Sequence, residues 1–253
     1  MNQFLAAIIA ANQTQDEYGN TVELHSGVSQ EEIDFISSLI RDHHLSRAVE
    51  VGCAMGMSSL AISDAIKDEG GSVHYIIDPH QKSQWKNIGI SNLKRAGFAD
   101  VTFIEDYSEF ALPALVKKGV RVNFGFIDGW HTFDHTLIDF FYINRMLEVG
   151  GVVVIDDVQM PAINKMIRYL YNYPGYRFAG KVRNKAITAK RKLFSKATAV
   201  IGGLRHLTGR RIAAEIYSPK LLRSDEALQL DSSMIAFKKI SPDERDWNWY
   251  ANF

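Results

Sequence analysis

The chain has 253 residues, 46% of them hydrophobic and 23% charged, and its 29 basic and 29 acidic residues give a formal net charge of zero. This is long enough for one large domain with a substantial core. A single cysteine excludes an internal disulfide framework and favours a reducing, cytoplasmic location. The sequence contains no run of 18 apolar residues, so we predict no transmembrane segment.

The N-terminal part, residues 1–45, is predicted to be helical. Its first apolar run is too short to span a bilayer and has no basic residue before it, so we interpret it as a helix rather than a signal peptide. Ser29 followed by Glu32 forms a capping-box pattern, after which apolar residues recur at helical spacing.

From residue 47 onward, short apolar strands alternate with helices. The predicted strands have the sequences RAVEVG, SVHYIIDP, VTFIED, VNFGFIDG, VVVIDD, YRFAG and SSMIAFKKI. This alternation predicts an α/β fold with a doubly wound, mostly parallel, seven-stranded sheet. The last strand follows a long insertion, so we expect it to pair antiparallel at the edge of the sheet.

The insertion, about residues 181–231, is predicted to be helical and basic. Residues 177–211 contain 11 Lys or Arg and no Asp or Glu, which leaves 18 basic against 29 acidic residues in the rest of the chain. Such a block suits an anionic partner or a peripheral contact with a membrane, and it is equally typical of a solvated helical face. We expect residues 1–253 to form a single domain that includes this insertion.

Carboxylates follow each of the first five predicted strands. In a doubly wound sheet, ligands bind beyond the carboxyl ends of the strands, so these acids are expected to share one functional face. The acids are Glu50, Asp78, Glu105 with Asp106, Asp128, and Asp156 with Asp157.

The stretch AVEVGCAMGMSSLAI, residues 48–62, places a glycine-punctuated turn between a strand and a helix. Such a turn brings backbone N–H groups close to a ligand. The dinucleotide fingerprint Gly-x-Gly-x-x-Gly fits poorly, because Ala54 and Met57 occupy two of its three glycine positions.

The same stretch resembles the first motif of the class I S-adenosylmethionine-dependent methyltransferases, an acid-x-Gly-x-x-x-Gly pattern. The resemblance implies a Rossmann-like methyltransferase fold, S-adenosylmethionine as cofactor, and binding of its ribose hydroxyls by Asp78. The alternative interpretation of Cys53, which lies within the turn, is that it is a small buried residue without a role in binding. The cofactor-binding residues implied by the resemblance are Glu50, Gly52, Cys53, Ala54, Gly56, Ser58, Asp78, Tyr107, Ser108 and Asp128.

The stretch FGFIDGWHTFDHTLIDFFYINRMLEVGGVVVIDDV is similar to the Methyltransf_24 group of methyltransferases, and to catechol O-methyltransferases and cephalosporin-hydroxylase-like proteins. EDYSEFALPAL resembles the third-strand motif of that group, with Tyr107-Ser108 in place of Asp-Ser. The resemblance covers about residues 28–180 and the last strand, and it does not extend to the basic insertion.

Asp128, Asp156 and Asp157 follow two strands that should be neighbours, and their hard oxygen atoms suit Mg²⁺. A bound divalent ion would lower the pKa of an acceptor hydroxyl and orient the substrate. The alternative is that Asp156 or Asp157 caps the following helix. The catechol enzymes have two acids and an amide at the matching positions, so this site would carry one more negative charge.

His131 is the candidate general base, and together with Asp128 it forms the predicted catalytic pair. The alternative is a structural histidine at the start of the next helix. His131 and His135 have the spacing of a helical zinc pair but lack the Glu-x-x-His context. Trp130 suits either an acceptor site or a cover over the core.

The sequence therefore predicts an S-adenosylmethionine-dependent O-methyltransferase that acts on a hydroxyl of a small-molecule or glycan-type acceptor, with a divalent metal, a histidine base, or both. An anionic acceptor and a homo-oligomer are compatible with the sequence. The alternatives are a metal-independent cofactor-binding module and a nucleic-acid methyltransferase that uses the basic insertion. The basic block has few aromatic residues to stack on bases, which disfavours nucleic acid.

Overall fold

The computed structural model describes residues 1–25, 27–183, 225 and 227–251, and within them the chain forms seven helices and nine strands. The helices are α1 (Gln3–Ala11), α2 (Gln30–Asp42), α3 (Met57–Asp68), α4 (Ile88–Arg95), α5 (Ser108–Lys117), α6 (Phe133–Met146) and α7 (Pro161–Leu170). The strands are β1 (Gln13–Gln15), β2 (Thr21–Glu23), β3 (Arg47–Val51), β4 (Val73–Ile77), β5 (Thr102–Ile104), β6 (Val122–Ile127), β7 (Leu147–Ile155), β8 (Tyr176–Arg183) and β9 (Ser232–Lys239).

Seven strands form one sheet in the order β5-β4-β3-β6-β7-β9-β8. The first five strands in this order are parallel, and β9 pairs antiparallel with both β7 and β8. The predicted α/β fold, the seven-stranded sheet and the antiparallel last strand are therefore confirmed. The expected edge position is wrong, because β9 lies between β7 and β8 and leaves β8 at the edge.

The order of strands reverses next to β3, which pairs with β4 on one side and with β6 on the other. Two hydrogen bonds continue the sheet past the strand ends, from the Gly52 N–H to the Ile77 carbonyl and from the Asp128 N–H to the Val51 carbonyl, both at 2.9 Å. The segments after β3 and β6 are thus held side by side, at the switch point where ligands bind in open α/β sheets.

Helices cover both faces of the sheet. Val49 and Val51 of β3 pack in a cluster with residues of α5, α6 and α7, whereas Ala48 packs with α2 and α3. Successive side chains of a strand point to opposite faces, so Glu50 lies on the α2 and α3 side with Ala48. This alternation decides which residues around the glycine turn can face a ligand.

The predicted helical region 1–45 also contains a short hairpin, β1–β2, that the sequence analysis missed. Asn12 ends α1 in a left-handed conformation, and the Asp16 carboxylate accepts hydrogen bonds from the N–H groups of Tyr18 and Asn20. These polar residues favour a turn over a continuing helix because their side chains compete for backbone hydrogen bonds.

Two predicted boundaries differ from the structure. The sequence SQWKNIGISNLKRAGF predicts a helix from Ser83, but helix α4 begins at Ile88, because Lys86 and Asn87 adopt left-handed conformations. Strand β8 extends to Arg183, past the predicted start of the insertion, and pairs Arg183 with Ser232. The predicted helical insertion, with the membrane and anionic-partner hypotheses attached to it, lies mostly in 184–224 and 226, outside the described residues.

Residues 227–231 return to the body of the fold. Leu228 and Leu230 are buried in the cluster on the α5, α6 and α7 face, and Lys181 forms an ion pair with Asp231. In the part of the chain that the structure describes, every helix is too short or too polar to cross a bilayer.

Candidate active site

A cavity of about 1030 Å³ lies beyond the carboxyl ends of β3, β4, β6 and β7. This volume is at the upper end of the range for small-molecule and cofactor sites, which leaves room for two bound molecules. Its described lining contains six carboxylates and three histidines, and none of these described residues is a lysine or an arginine. The titratable lining residues are Glu32, Asp78, His80, Tyr107, Glu109, Asp128, His131, His135, Asp156 and Asp157.

The glycine turn after β3 is shaped by contacts with its own chain. Gly52 has a φ of +90°, and a Cβ atom there would lie 1.9 Å from the Asp128 carbonyl oxygen. Gly56 has a φ of +83°, and a Cβ atom there would lie 2.9 Å from the Gly89 carbonyl oxygen. Both motif glycines are therefore required for close backbone approach within the protein. Gly52 and Ala54 line the cavity, and Gly56 packs behind it against α4.

Asp78, which follows β4, holds this turn in place. Its Oδ2 atom accepts hydrogen bonds from the N–H groups of Cys53 at 3.1 Å and Ala54 at 2.9 Å, and its Oδ1 atom accepts from the His80 N–H at 2.7 Å. The side chain is almost fully buried, yet it lines the cavity. Asp78 is therefore both a structural clamp for the turn and a group that a ligand can reach.

Glu50, Cys53 and Ser58 lie behind the turn and do not line the cavity. The Ser58 hydroxyl donates to Glu50 Oε1 at 2.5 Å, and His74 Nε2 lies 3.1 Å from Glu50 Oε2. Burial raises the pKa of the Cys53 thiol well above its usual range, so this cysteine is not a nucleophile. These residues support the turn from the α3 side, as the alternation along β3 requires.

The three aspartates after β6 and β7 meet in the cavity, as predicted. Burial raises the pKa of Asp128 well above its usual range, and the nearby charges of Asp156 and Asp157 raise it further. Burial, with the charge of Glu32, raises the pKa of Asp156 to about 8. The cavity therefore concentrates negative charge that a cation would compensate.

One set of candidate metal ligands differs from the predicted one. Asp128, His131 and Asp157 each place one ligand atom within 4.8 Å of the others. Asp156 is outside this set, and its Oδ1 atom accepts the Asp157 N–H at 2.8 Å. Asp157 has a left-handed φ of +55°, and His131 Nδ1 lies 3.3 Å from its Oδ2 atom. This set shares Asp128 and Asp157 with the predicted set of Asp128, Asp156 and Asp157.

Glu32 and Ser233 reach the cavity from distant parts of the chain, and the sequence analysis assigned neither to the site. Glu32 Oε2 accepts from the N–H and hydroxyl of Ser29, so the predicted capping box of α2 is present. Glu32 Oε1 accepts from the Ser233 hydroxyl at 2.5 Å. The capping pattern indicated only the start of a helix and gave no sign that its glutamate faces a ligand.

Aromatic side chains line another part of the cavity. The ring centroids of His80 and Tyr107 are 5.8 Å apart, those of His80 and Trp130 are 6.4 Å apart, and those of Trp130 and His135 are 6.2 Å apart. Tyr107 and Trp130 are 46% and 59% exposed, so their rings are accessible to a ligand in the cavity. The predicted cofactor residues Tyr107 and Ser108 both line the cavity.

Because of these acidic residues, we expect the free energy of unfolding of the protein without divalent ions to decrease as pH rises. Asp128 and Asp156 have raised pKa values in the folded protein, so they stabilise the fold fully only below the pKa of the unfolded chain, near 3.8. This contribution is lost as pH rises through about 8, the folded value of Asp156. In EDTA, the free energy of unfolding should fall between pH 5 and pH 9 by at least about 1 kcal/mol.

Urea denaturation at several pH values measures this dependence. Asp156→Asn should flatten it, because that variant removes one of the two carboxyls. A wild-type free energy of unfolding that stays constant or rises over this range would contradict the prediction.

Comparison with known proteins agrees with this arrangement. The family model described as "Methyltransferase domain" (Methyltransf_24) matches residues 49–158. Two proteins of Arabidopsis thaliana, a candidate caffeoyl-CoA O-methyltransferase and tapetum-specific methyltransferase 1, are each 26% identical over 57% of this chain. The matched part spans 59% of the length of each of these relatives.

Solved structures share the fold. An O-methyltransferase from Bacillus cereus in complex with S-adenosylhomocysteine has a TM-score of 0.58 at 17% identity, covering 73% of this chain and 86% of its own. An O-methyltransferase of tomaymycin synthesis from Streptomyces achromogenes, solved with S-adenosylmethionine, has a TM-score of 0.56 at 18% identity, covering 73% and 85%. The predicted resemblance is thus confirmed: residues 49–158 match the methyltransferase-domain model, and the solved O-methyltransferases share the fold.

Proposed function

We propose that this protein transfers a methyl group from S-adenosylmethionine to a hydroxyl oxygen of a small acceptor, with assistance from a divalent cation. The observation that carries the proposal is the joint location of the glycine turn and the Asp128, His131 and Asp157 cluster in one cavity at the switch point of the sheet. Its relatives and structural neighbours named as O-methyltransferases support the reaction type.

The described cavity fits S-adenosylmethionine in shape and charge. The cofactor bears a sulfonium and an ammonium group against one carboxylate, so its net charge is positive, and the six carboxylates of the lining favour it. Asp78 is placed to accept hydrogen bonds from a ribose, as acids at this position do in related nucleotide-binding folds. His80, Tyr107 and Trp130 offer ring faces to a flat base.

The donor set also fits a divalent cation. Asp128 and Asp157 offer hard oxygen atoms, and His131 adds a nitrogen atom within 4.8 Å of both. A cation held there would lower the pKa of an acceptor hydroxyl and orient it. Asp156, predicted from sequence as a third ligand, lies beside this set and adds negative charge to it.

His131 is the proposed base for the hydroxyl proton. Its Nδ1 atom lies 3.3 Å from Asp157 Oδ2, so a hydrogen on Nδ1 would point at Asp157 and leave Nε2 free to accept a proton. Asp157 would then orient the ring and stabilise its charged form, as carboxylates do for catalytic histidines. In this role neither ring nitrogen ligates the cation, so Asp128 and Asp157 would hold it and His131 would lie beside it.

The acceptor is proposed to be small and rich in hydroxyl groups, as a phenol or a glycan-type molecule would be. The acidic lining of the described cavity would repel phosphate groups, which disfavours a nucleic-acid substrate. An anionic acceptor would have to bind through the basic residues of 184–224. The anionic character of the acceptor stays a prediction from the sequence. A module that only binds the cofactor would have no need for His131 beside Asp157.

Calorimetric titration with S-adenosylmethionine, with and without Mg²⁺, tests the proposal. We expect micromolar binding by the wild-type protein and a loss of at least about 100-fold in Asp78→Ala. That variant removes both the proposed ribose contact and the acceptor of the Cys53 and Ala54 N–H groups. Asp100→Ala is the matched control, because Asp100 is exposed and does not line the cavity.

Binding by the wild type and by Asp100→Ala, lost in Asp78→Ala, would support the cofactor assignment and justify a screen of hydroxylated acceptors. The proposal would be abandoned if the wild type bound neither S-adenosylmethionine nor S-adenosylhomocysteine.

A further inference from the structure

Asp139 is a buried acid with no part in the reaction described above. It lies on the inner face of α6, beside the buried residues Thr136, Phe140 and Ile143, and only 1% of its surface is exposed. Apolar residues usually fill such positions, because an isolated buried carboxylate is costly. Burial raises the pKa of Asp139 to about 6, because the surroundings compensate its charge only in part.

Two cavity-lining segments meet at this side chain. The Ser108 hydroxyl favours the charged form of the Asp139 carboxylate and lowers its pKa, and Ser108 is the first residue of α5. A Cβ atom on Gly129 would lie 3.4 Å from Asp139 Oδ2, so the loop after β6 passes directly over the carboxylate. Ser108 and Gly129 both line the cavity, whereas Asp139 lies beneath them.

Helix α5 begins without a cap from its own sequence. Its N-cap residue is Tyr107, whose side chain makes no capping hydrogen bond. The N-terminus of a helix carries partial positive charge and attracts a carboxylate. Glu109 is the acid of the first turn of α5, and Asp139 adds a second negative group from α6, at the turn that bears Tyr107 and Ser108.

The Asp139 carboxylate is also incompletely bonded. Among the described residues, its Oδ1 atom is buried and has no hydrogen-bond partner. A side chain selected for stability alone would not leave a buried acceptor unpaired, since an apolar residue of similar size is often neutral or stabilising at such a site. Stability alone therefore does not explain an acid at this position.

We infer that Asp139 is a positioning residue that links the start of α5 to the Gly129–Trp130 loop and so fixes the cavity wall formed by Tyr107, Ser108 and Trp130. The inference deepens the proposed function, because this wall is the part of the cavity assigned to the flat base of the cofactor. Asp139 itself does not contact the ligand.

Three variants test this role, with S-adenosylhomocysteine as the titrated ligand. Asp139→Leu removes the acceptor and should weaken binding at least tenfold, while the urea midpoint stays equal or rises. Asp139→Asn keeps an acceptor oxygen for Ser108 and should restore affinity to within threefold of the wild type. Asn144→Leu, on the same helix but hydrogen-bonded to Tyr173 and Tyr176 away from the cavity, should lower the midpoint and leave affinity unchanged.

Amide hydrogen exchange of the ligand-free proteins gives a second readout. Asp139→Leu should speed exchange in residues 106–110 and 128–132 only, whether or not any ligand binds. Ser108→Ala removes the same link from the other side and should weaken binding about threefold to tenfold, which covers the case in which Asp139→Leu fails to fold.

Binding by Asp139→Leu within twofold of the wild type, or exchange unchanged in both segments, would overturn the inference. Loss of affinity together with a lowered midpoint, matched by the same two changes in Asn144→Leu, would also overturn it. A wild-type protein that binds no S-adenosylhomocysteine would refute the proposed function, and the exchange comparison would then decide the role of Asp139 alone.

Discussion

Replacing Gly52 with alanine is expected to abolish binding of S-adenosylhomocysteine, with a loss of at least about 100-fold in affinity. The new Cβ atom would lie 1.9 Å from the Asp128 carbonyl oxygen, a backbone atom that cannot rotate away. The left-handed φ of +90° adds strain for any residue with a side chain. Strain and collision together should lower the free energy of unfolding by about 2–4 kcal/mol.

Gly70→Ala is the matched control for this variant. Gly70 also has a left-handed φ, of +73°, but a Cβ atom there would meet nothing within 4 Å. Gly70→Ala should therefore lower the free energy of unfolding by only about 1 kcal/mol and leave ligand affinity unchanged. Calorimetry and urea denaturation of both variants measure the two effects. Equal affinities for Gly52→Ala and Gly70→Ala would show that the close approach between β3 and the β6 loop does not shape the ligand site.

Replacing Asp128 with asparagine should lower the affinity for Mn²⁺ by at least about 10- to 100-fold. Asparagine keeps the shape of the side chain but removes the charge that draws a cation to this set of ligands. In EDTA at pH 8 the same variant should be more stable than the wild type, because it removes one of several buried carboxylates that repel each other. Weaker metal binding with greater stability is the combination that identifies a metal ligand.

Electron paramagnetic resonance of free Mn²⁺ measures the affinity. Asp134→Asn is the control, because Asp134 is an exposed acid in the first turn of α6 that accepts a hydrogen bond from Thr132. It should bind Mn²⁺ as the wild type does. If Asp128→Asn bound Mn²⁺ as tightly as Asp134→Asn, the cluster of Asp128, His131 and Asp157 would not be a metal site.

The parts of the site that follow parallel strands could be predicted from the sequence. Each of these strands ends at the same edge of the sheet, so the acids after them converge whatever the details of the helices between. For this reason Asp78, Asp128, Asp156 and Asp157 were all placed correctly in one cavity. The choice between Asp156 and His131 as partner of the other two aspartates could not be made, because it depends on the left-handed backbone at Asp157.

The residues that the sequence analysis missed belong to elements far apart in the chain. Glu32 and Ser233 are separated by 201 positions, and only the antiparallel return of β9 beside β7 brings them together. Glu50 and Ser58 were assigned to the cofactor from the motif, whereas alternation along β3 turns Glu50 toward α3, where the Ser58 hydroxyl donates to it. Asp139 did leave a signal, an acid among the apolar positions of α6, but its meaning depends on the packing of α5 against that helix.

Cys53, the single cysteine of the chain, gives the molecule a built-in reporter of its own opening. The thiol is 2% exposed and packs against Gly89, behind the turn that Asp78 clamps. A thiol reagent can react with it only when this turn opens, so the rate of labelling follows the population of the open state when reclosing is fast. A ligand that closes the turn should slow labelling in proportion to its occupancy, which allows ligands to be ranked before any acceptor is known.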